Sequence, residues 1–223
     1  MRTLLLAASA ILCLSVSAHA TSILAFGQTG TGDTITGTAN ASGTSTTITG
    51  TNIPVSITAI LGVPTPIKAF LSFSAITADP VTQISVGAAT FVLQEFSGSF
   101  SIANGKTNYL SGLFSGAFFG SGASLTMSAS DATPKENVKF TSNMIPTNDL
   151  LSPRAISLSL ADVTPGAHIK GDTLGSFLAS ISGDFSASAI TVPEPASLAL
   201  FGTGLLGLAL VRARRETNES GRR

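Results

Sequence analysis

Apolar and hydroxyl-bearing side chains alternate with a period of two along much of this chain. Apolar positions alternate with serine or threonine at residues 96–102, 125–128 and 156–160, and the same period recurs at 177–185. Such alternation is typical of antiparallel strands that cover a core on one side. Between residues 21 and 190 no apolar pattern of helical period extends beyond two turns. The pattern therefore predicts an all-β domain.

Turn-forming residues divide this segment at short intervals. Asn104-Gly105 predicts a type I′ hairpin turn between the strands at 96–102 and 107–114. Four further dipeptides predict loops: Asp79-Pro80, Thr133-Pro134, Ser152-Pro153 and Thr164-Pro165. Strands separated by such turns predict an antiparallel β-sandwich or jelly-roll-like domain, or a similar barrel.

Phenylalanine supplies most of the large apolar side chains that could fill a core. The expected core phenylalanines are at positions 70, 73, 91, 96, 100, 114, 118, 119, 140, 177 and 185. A glycine lies close to a phenylalanine in several of these strands, as in Phe96-Ser97-Gly98-Ser99-Phe100. We interpret these glycines as positions where a facing ring packs close to the backbone.

The N-terminal residues form a pattern typical of a removable signal peptide, residues 1–20. Arg2 precedes an apolar stretch at 4–16, which is short for a membrane span, and Ala18-His19-Ala20 has the small-x-small form that signal peptidase accepts. We expect cleavage before Thr21. Cys13 follows Leu12 inside the apolar stretch, which argues against a lipoprotein signal.

The C-terminal residues combine an extended motif, an apolar helix and a basic end. Val192-Pro193-Glu194-Pro195 lies in the segment 191–195, and the two prolines favour exposed, non-helical backbone. An uncharged stretch at 196–211 follows and predicts a single transmembrane helix. Arg212, Arg214 and Arg215 in the tail at 212–223 are expected to remain cytoplasmic.

Together these three parts resemble the sorting tag of the PEP-CTERM proteins of Gram-negative bacteria. The same tag also goes by the name ice-binding protein C-terminal domain, which describes the segment rather than an activity. The resemblance implies that an exosortase, a membrane-embedded processing enzyme, recognises Glu194 and its prolines and removes the helix. It also implies an association with exopolysaccharide and biofilm.

Composition limits the function of the domain at 21–190. Nine acidic and six basic residues give it a formal charge of −3, which provides no basic footprint for nucleic acid. The chain has no tryptophan and one tyrosine, so it has few of the aromatic side chains on which sugar rings stack in many sugar-binding proteins. Its only cysteine, Cys13, lies in the signal, so we expect no disulfide after cleavage.

No catalytic or cofactor-binding motif emerges from the sequence, and we expect a non-enzymatic protein. His168 has no evident partner for nucleophilic catalysis, and Gly122-Ala123-Ser124-Leu125-Thr126 ends in threonine where a nucleophile elbow needs glycine. Asn104-Gly105-Lys106-Thr107 imitates part of a phosphate-binding loop but lies between strands, as a hairpin tip would.

Three weaker possibilities concern metal, sugar and ice. Asp131 and Glu136 near Asn137 offer oxygens for calcium, but a solvated loop explains them equally well. Paired carboxylates for glycoside hydrolysis remain open, because sequence spacing says nothing about their separation in a sheet. Two Thr-x-Thr runs, at 34–38 and 47–51, are better explained as polar edge strands than as an ice-binding plane.

The sequence therefore predicts an exported surface or matrix protein, structural or adhesive in exopolysaccharide. Its partners would be signal peptidase, an exosortase and exopolysaccharide. Its precursor would lie in the inner membrane with a cytoplasmic C-terminus, and its mature form at the cell surface or outside the cell. The alternative is an extracellular polysaccharide-binding or calcium-dependent carbohydrate-active domain.

Overall fold

The computed structural model describes residues 20–188, apart from positions 31, 33, 78 and 88. In chain order the elements are β1 (Ala20–Gln28), β2 (Ile35–Ala39), β3 (Thr46–Ile60), β4 (Ile67–Thr77), β5 (Thr82–Val86), β6 (Ala89–Asn104), β7 (Thr107–Ser121), β8 (Ser124–Ser130), β9 (Asn137–Thr141), a 3₁₀ turn (Thr147–Asp149), β10 (Leu151–Thr164), β11 (Ile169–Lys170), β12 (Thr173–Leu174) and β13 (Phe177–Ser188). No helix among these residues is long and apolar enough to cross a membrane.

Eleven of the strands form one antiparallel sheet that closes on itself. From β6 the hydrogen-bonded neighbours run through β4, β3, β1, β13, β10, β8 and β7, and β7 pairs with β6 again. At one end β2 takes the place of β1 between β3 and β13. The expectation of an all-β antiparallel domain is confirmed. Of the predicted arrangements, the sandwich and the jelly roll are wrong and the closed alternative is right, because β7 pairs with β6 again and a single sheet encloses the core.

Apolar side chains from opposite sides of this cylinder meet in its interior. Phe100 on β6 stacks on Phe185 on β13, with ring centroids 4.5 Å apart. These two strands face each other across the cylinder, because β13 is the fourth strand from β6 whichever way the closed sheet is followed. Phe140 and Phe26 also contact Phe185, each with a centroid separation of 5.9 Å. A closed sheet of eight strand positions has an interior just wide enough for side chains to fill. The interior is therefore a packed core.

Glycines allow the largest rings to fit inside the cylinder. A Cβ added to Gly37 would lie 2.3 Å from Cε1 of Phe177, and one added to Gly112 would lie 2.9 Å from Cε1 of Phe100. Real Cβ atoms do not come this close to ring carbons, so any larger residue would displace the phenylalanine. The interpretation of glycine as the partner of a close-packed ring is confirmed at Gly112, while Gly37 is a further case that the sequence did not single out.

A buried polar cluster closes one end of the cylinder. The side-chain oxygen of Gln94 accepts a hydrogen bond from the backbone N–H of Leu174 at 2.8 Å, and its amide nitrogen donates to Thr173 Oγ1 and Asp79 O. Thr173 Oγ1 also lies 2.9 Å from Thr46 Oγ1. Buried polar groups must be paired to be tolerated. This cluster thereby fixes the β11–β12 hairpin against the sheet.

The turn predictions have mixed outcomes. The hairpin between β6 and β7 is confirmed, but Asn104 pairs with Thr107, so the two turn residues are Gly105, at φ 58°, and Lys106. The loop predicted at Ser152-Pro153 is wrong, since both residues lie in β10. The β10–β13 register shifts between Leu151 and Ala155, and an interrupted ladder tolerates a residue without an N–H.

Most of the expected core phenylalanines are buried. Two are not: Phe70 is 46% exposed and Phe119 is 40% exposed, while Phe91 is half-buried. All three point outward because they lie in the outward phase of their strands, next to inward-facing Ala69, Val92 and Phe118. Their large apolar side chains suggested that they belong to the core, but the two-residue alternation of each strand places them on its outer face.

The two ends of the described chain lie side by side. Ala20 at the start of β1 pairs with Ser188 at the end of β13. The β5–β6 hairpin lies at the other end of the sheet, since Val92 at the start of β6 neighbours Gly120 and that end of β7 neighbours Leu125 of β8. Ala20 and Ser188 therefore lie at one end of the sheet, and β5 lies at the opposite end.

Candidate functional site

The outer surface of β8, β10 and β13 carries a regular array of hydroxyl groups. In one row Thr126 pairs with Ser159, which pairs with Ser182; in the next row Ser128 pairs with Ser157, which pairs with Asp184. We call these six residues the hydroxyl face. Neighbouring strands lie about 4.8 Å apart and alternate residues about 6.8 Å apart along a strand. The face thus presents polar groups at fixed, repeating intervals.

Most hydroxyls of this face are not used within the fold. Thr126 Oγ1 donates to the carbonyl of Phe119 at 3.1 Å. The hydroxyls of Ser128, Ser157, Ser159 and Ser182 make no hydrogen bond to any other residue in the described part of the chain. Each serine hydroxyl is both a donor and an acceptor. Four adjacent groups are therefore available to water or to a polyhydroxylated ligand.

A groove of about 290 Å³ continues the hydroxyl face towards the loop after β8. Two carboxylates line it: Asp184 accepts a hydrogen bond from Ser22 Oγ at 2.6 Å, and Glu136 accepts one from the N–H of Ser130 at 2.6 Å. Each uses one oxygen in these bonds, so the second oxygen of each is available as an acceptor within the described structure. Sequence reasoning missed this groove because its residues come from three separate segments.

The two Thr-x-Thr runs lie next to each other on a second outer surface. Thr36 of β2 pairs with Thr49 of β3, and Thr38 pairs with Thr47. The row from Thr49 continues through Ser74 and Ser99 on β4 and β6. Thr34 departs from the array because its hydroxyl donates to the side chain of Gln28 at 2.7 Å. The runs thus belong to a sheet that is polar across several strands, and neither is an edge.

The structure gives the proposed calcium oxygens other partners. The carboxylate of Asp131 forms an ion pair with Arg154 at 3.1 Å and accepts hydrogen bonds from the Arg154 N–H and Ser152 Oγ. Glu136 is turned towards the Ser130 N–H. No group of three or more His, Cys, Asp or Glu residues suited to a metal occurs in the part of the chain that is described. The explanation of Asp131 as a solvated loop acid is wrong, because its carboxylate is largely buried and paired with Arg154.

The other motifs occupy turns and a surface hairpin. His168 lies just before β11, and its Nδ1 is 2.9 Å from the carbonyl oxygen of Gly166, two residues earlier. Gly122, at φ 57°, forms the turn between β7 and β8, and Ser124 begins β8. Lys106 lies at the β6–β7 hairpin tip, as expected. None of these positions brings a nucleophile, a base and an orienting group together among the described residues.

The sorting residues fall mostly outside the described part of the chain. Val192, Pro193, Glu194, Pro195, Arg212, Arg214, Arg215 and Ala18 all lie there, as do the predicted signal stretch and membrane helix. Ala20 and Thr21 are described and begin β1. The predicted cleavage point therefore lies at the start of β1, between the first two residues that pair with β13. There Thr21 Oγ1 donates to Ala187 O at 3.3 Å.

Comparison with known proteins identifies the C-terminal segment. The family model described as the PEP-CTERM protein-sorting motif matches residues 191–215, which confirms the predicted resemblance. A tag of this kind marks an exported protein that passes through the membrane and is processed by an exosortase. No curated protein and no solved structure matches the chain.

Proposed function

We propose that this chain, which carries the PEP-CTERM motif at residues 191–215, is a non-enzymatic protein of the cell surface or extracellular matrix. Signal peptidase removes residues 1–20, and the helix at 196–211 holds the precursor in the inner membrane with its C-terminus in the cytoplasm. An exosortase then cuts near the motif and releases the domain. Its role there is structural or adhesive within exopolysaccharide. The sorting motif is the observation that carries this proposal.

The chemistry of the domain supports an adhesive role rather than catalysis. Its surface offers hydroxyls that are free of intramolecular bonds, and its core is filled with side chains. Each hydroxyl contact with a sugar contributes little free energy, since the same group exchanges a bond to water. Many weak contacts along one polymer add through effective concentration. A repeating hydroxyl array suits such multivalent binding to a polysaccharide chain.

The sorting part of the proposal is tested by mapping the mature C-terminus. The precursor is expressed with and without an exosortase, the cells are fractionated, and the product is analysed by mass spectrometry. We expect Arg212–Arg223 to be absent only when exosortase is present, and deletion of Pro193–Pro195 to prevent the loss. A product that still ends at Arg223 in the presence of exosortase would show a simple membrane anchor.

The adhesive part is tested on the exported product with insoluble exopolysaccharide from the producing cell. A Ser157→Ala/Ser159→Ala/Ser182→Ala variant is compared with a matched Ser74→Ala/Ser99→Ala/Ser101→Ala variant of the second outer surface, on which Ser101 lies two residues along β6 from Ser99. We expect the first variant to co-sediment at least several-fold less than the second. Equal loss in both variants would show that the hydroxyl face is not the binding surface.

A second candidate is sugar recognition that depends on the two groove carboxylates. The shared groove of Asp184 and Glu136 favours this reading, because carboxylate oxygens accept hydrogen bonds from sugar hydroxyls or bind a bridging cation. A glycan array probed with the exported product, with and without chelator, separates the candidates. Binding to one defined glycan that chelator abolishes would replace the structural role with calcium-dependent recognition.

A further inference from the structure

β5 is a strand edge that the fold leaves uncovered. It pairs with β6 on one side and has no strand on its other side among the described residues. All five of its residues are exposed, and Thr82-Gln83-Ile84-Ser85-Val86 contains neither a charge nor a proline. Natural edges are usually blocked by charged side chains, prolines or a covering segment, because an open edge pairs with other strands.

The contrast with β9 shows how this chain protects its other open edge. β9 pairs only with β7 in the main sheet, and β10 lies beside it without ladder pairing. There Arg154 donates a hydrogen bond from Nη1 to the carbonyl of Val138 at 3.3 Å and is held by Asp131. A charged side chain thus covers β9. At β5 the β11–β12 hairpin reaches only the residue before the strand, where the Val81 N–H donates to Asp172 O at 2.9 Å, and no described residue pairs with Thr82–Val86 on the open side.

An apolar patch lies beside the open edge. Ile84 is opposite Phe91 in the β5–β6 register, and Phe91 stacks on Phe119 of β7 with centroids 5.1 Å apart and planes 3° apart. Val86 is 63% exposed, Phe119 40% and Ile84 37%. We call these four side chains the β5 patch. An edge and an apolar patch together offer backbone hydrogen bonds and apolar burial to a single partner.

From this edge we infer that the chain pairs with a second copy of itself, β5 against β5, antiparallel and centred on Ile84. Val86 and Ala89 are the last facing pair of the β5–β6 hairpin, and the last pair of so tight a hairpin is hydrogen-bonded, so the N–H and C=O groups of Thr82, Ile84 and Val86 point towards β6. Those of Gln83 and Ser85 therefore point to the open edge. Centring on Ile84 places Gln83 opposite the partner's Ser85, and Ser85 opposite the partner's Gln83, so all four edge groups of each copy pair.

Self-pairing meets the requirements of a two-fold interface. Each residue of β5 meets its own symmetry mate or a neutral residue, so no like charges are brought together. Ile84 from both copies becomes a cross-strand pair beside both patches. The edge lies at the end of the domain opposite Ala20 and Ser188, so the two ends of the described chain stay outside the interface. This inference is independent of the proposed function.

Solution mass of the full chain tests the pairing. The chain is purified in detergent micelles, and its protein mass is measured by light scattering over the micromolar range. We expect twice the chain mass for the natural sequence, and the single-chain mass for Ile84→Lys, which puts two ammonium groups opposite each other. Leu113→Lys is the matched control, since Leu113 is 59% exposed on β7 away from β5, and it should keep the doubled mass.

Disulfide trapping provides the second readout and does not depend on a disruptive variant. In a Cys13→Ser background, Ile84→Cys should form a disulfide-linked dimer, because Cα atoms of facing non-hydrogen-bonded residues lie about 4.5 Å apart, within disulfide range. Leu113→Cys should not. A natural sequence that stays at single-chain mass, a doubled mass that survives Ile84→Lys, or equal trapping at both positions would each overturn the inference.

Discussion

The guanidinium of Arg154 and the carboxylate of Asp131 form an ion pair at 3.1 Å between the end of β8 and the start of β10. The Arg154 N–H also donates to Asp131 at 2.7 Å, and its side chain donates to the carbonyls of Leu150 and Val138. Both side chains are largely buried, at 26% and 14% exposure. The pair therefore connects β8, β9 and β10 where the β9–β10 ladder is absent.

Removing this cation should destabilise the domain. In Arg154→Ala the partly buried Asp131 carboxylate loses its partner, and two backbone carbonyls lose a donor. We expect the free energy of unfolding to fall by about 1–3 kcal/mol. Urea unfolding followed by circular dichroism measures it. Lys139→Ala, an exposed position on β9, should stay within about 0.5 kcal/mol of the natural sequence; equal losses in the two variants would contradict the assigned role.

Gly37→Ala should strain the core. Its new Cβ would lie 2.3 Å from the Phe177 ring, so the ring must move and the cost should be about 1–3 kcal/mol. Gly27→Ala is the matched control, because a Cβ there meets no atom within 4 Å. Thermal unfolding compares them. Combining Gly37→Ala with Phe177→Leu should cost less than the sum of the single changes; strict additivity would show that the two residues do not compete for space.

Gln94→Ala should release the β11–β12 hairpin from the end of the cylinder. It leaves the buried N–H of Leu174 and the hydroxyl of Thr173 without this partner, at a cost of about 1–3 kcal/mol. Amide hydrogen exchange should rise most at Leu174. Gln83→Ala, at an exposed position of β5, should leave that exchange unchanged. Protection at Leu174 that survives Gln94→Ala would show that another contact holds the hairpin.

Ala20→Tyr should retain the signal segment in the exported protein. Signal peptidase accepts small side chains at this position, and the Ala20 side chain is exposed in β1, so the fold itself should tolerate tyrosine. Mass spectrometry of the N-terminus should find residues before Thr21 in this variant and none in Thr21→Ser. Normal cleavage in Ala20→Tyr would move the processing site away from the predicted bond.

Local patterns of sequence predicted individual strands well but not how the strands are arranged. Alternation located β10 and β13, and the Asn104-Gly105 signal located the β6–β7 hairpin within one residue of its turn. Closure of the sheet depends on the pairing of Ala20 with Ser188, a contact between the two ends of the domain. No local pattern encodes such a contact, so one closed sheet and two facing sheets were equally compatible with the sequence.

For the candidate site, too, the sequence predicted individual positions but not how they are arranged. Each serine of the hydroxyl face was visible as the polar half of an alternating strand, yet their alignment depends on the register between β8, β10 and β13. Gln94 occupies an inward position between Val92 and Phe96, which a strict reading of the two-residue period would have identified as a buried polar side chain. Its partners at Thr173 and Leu174 could not be read from that period.

The pairing of β1 with β13 has a consequence for export. Strand β1 comes first in the chain, but one of its two neighbours is the last strand of the domain, so its ladder stays incomplete until residue 188 is available. Contacts so distant in sequence form slowly, since a long loop must close before they contribute. Because the motif at 191–215 follows β13 in the chain, a cut at or after it leaves every strand of the closed sheet in the product.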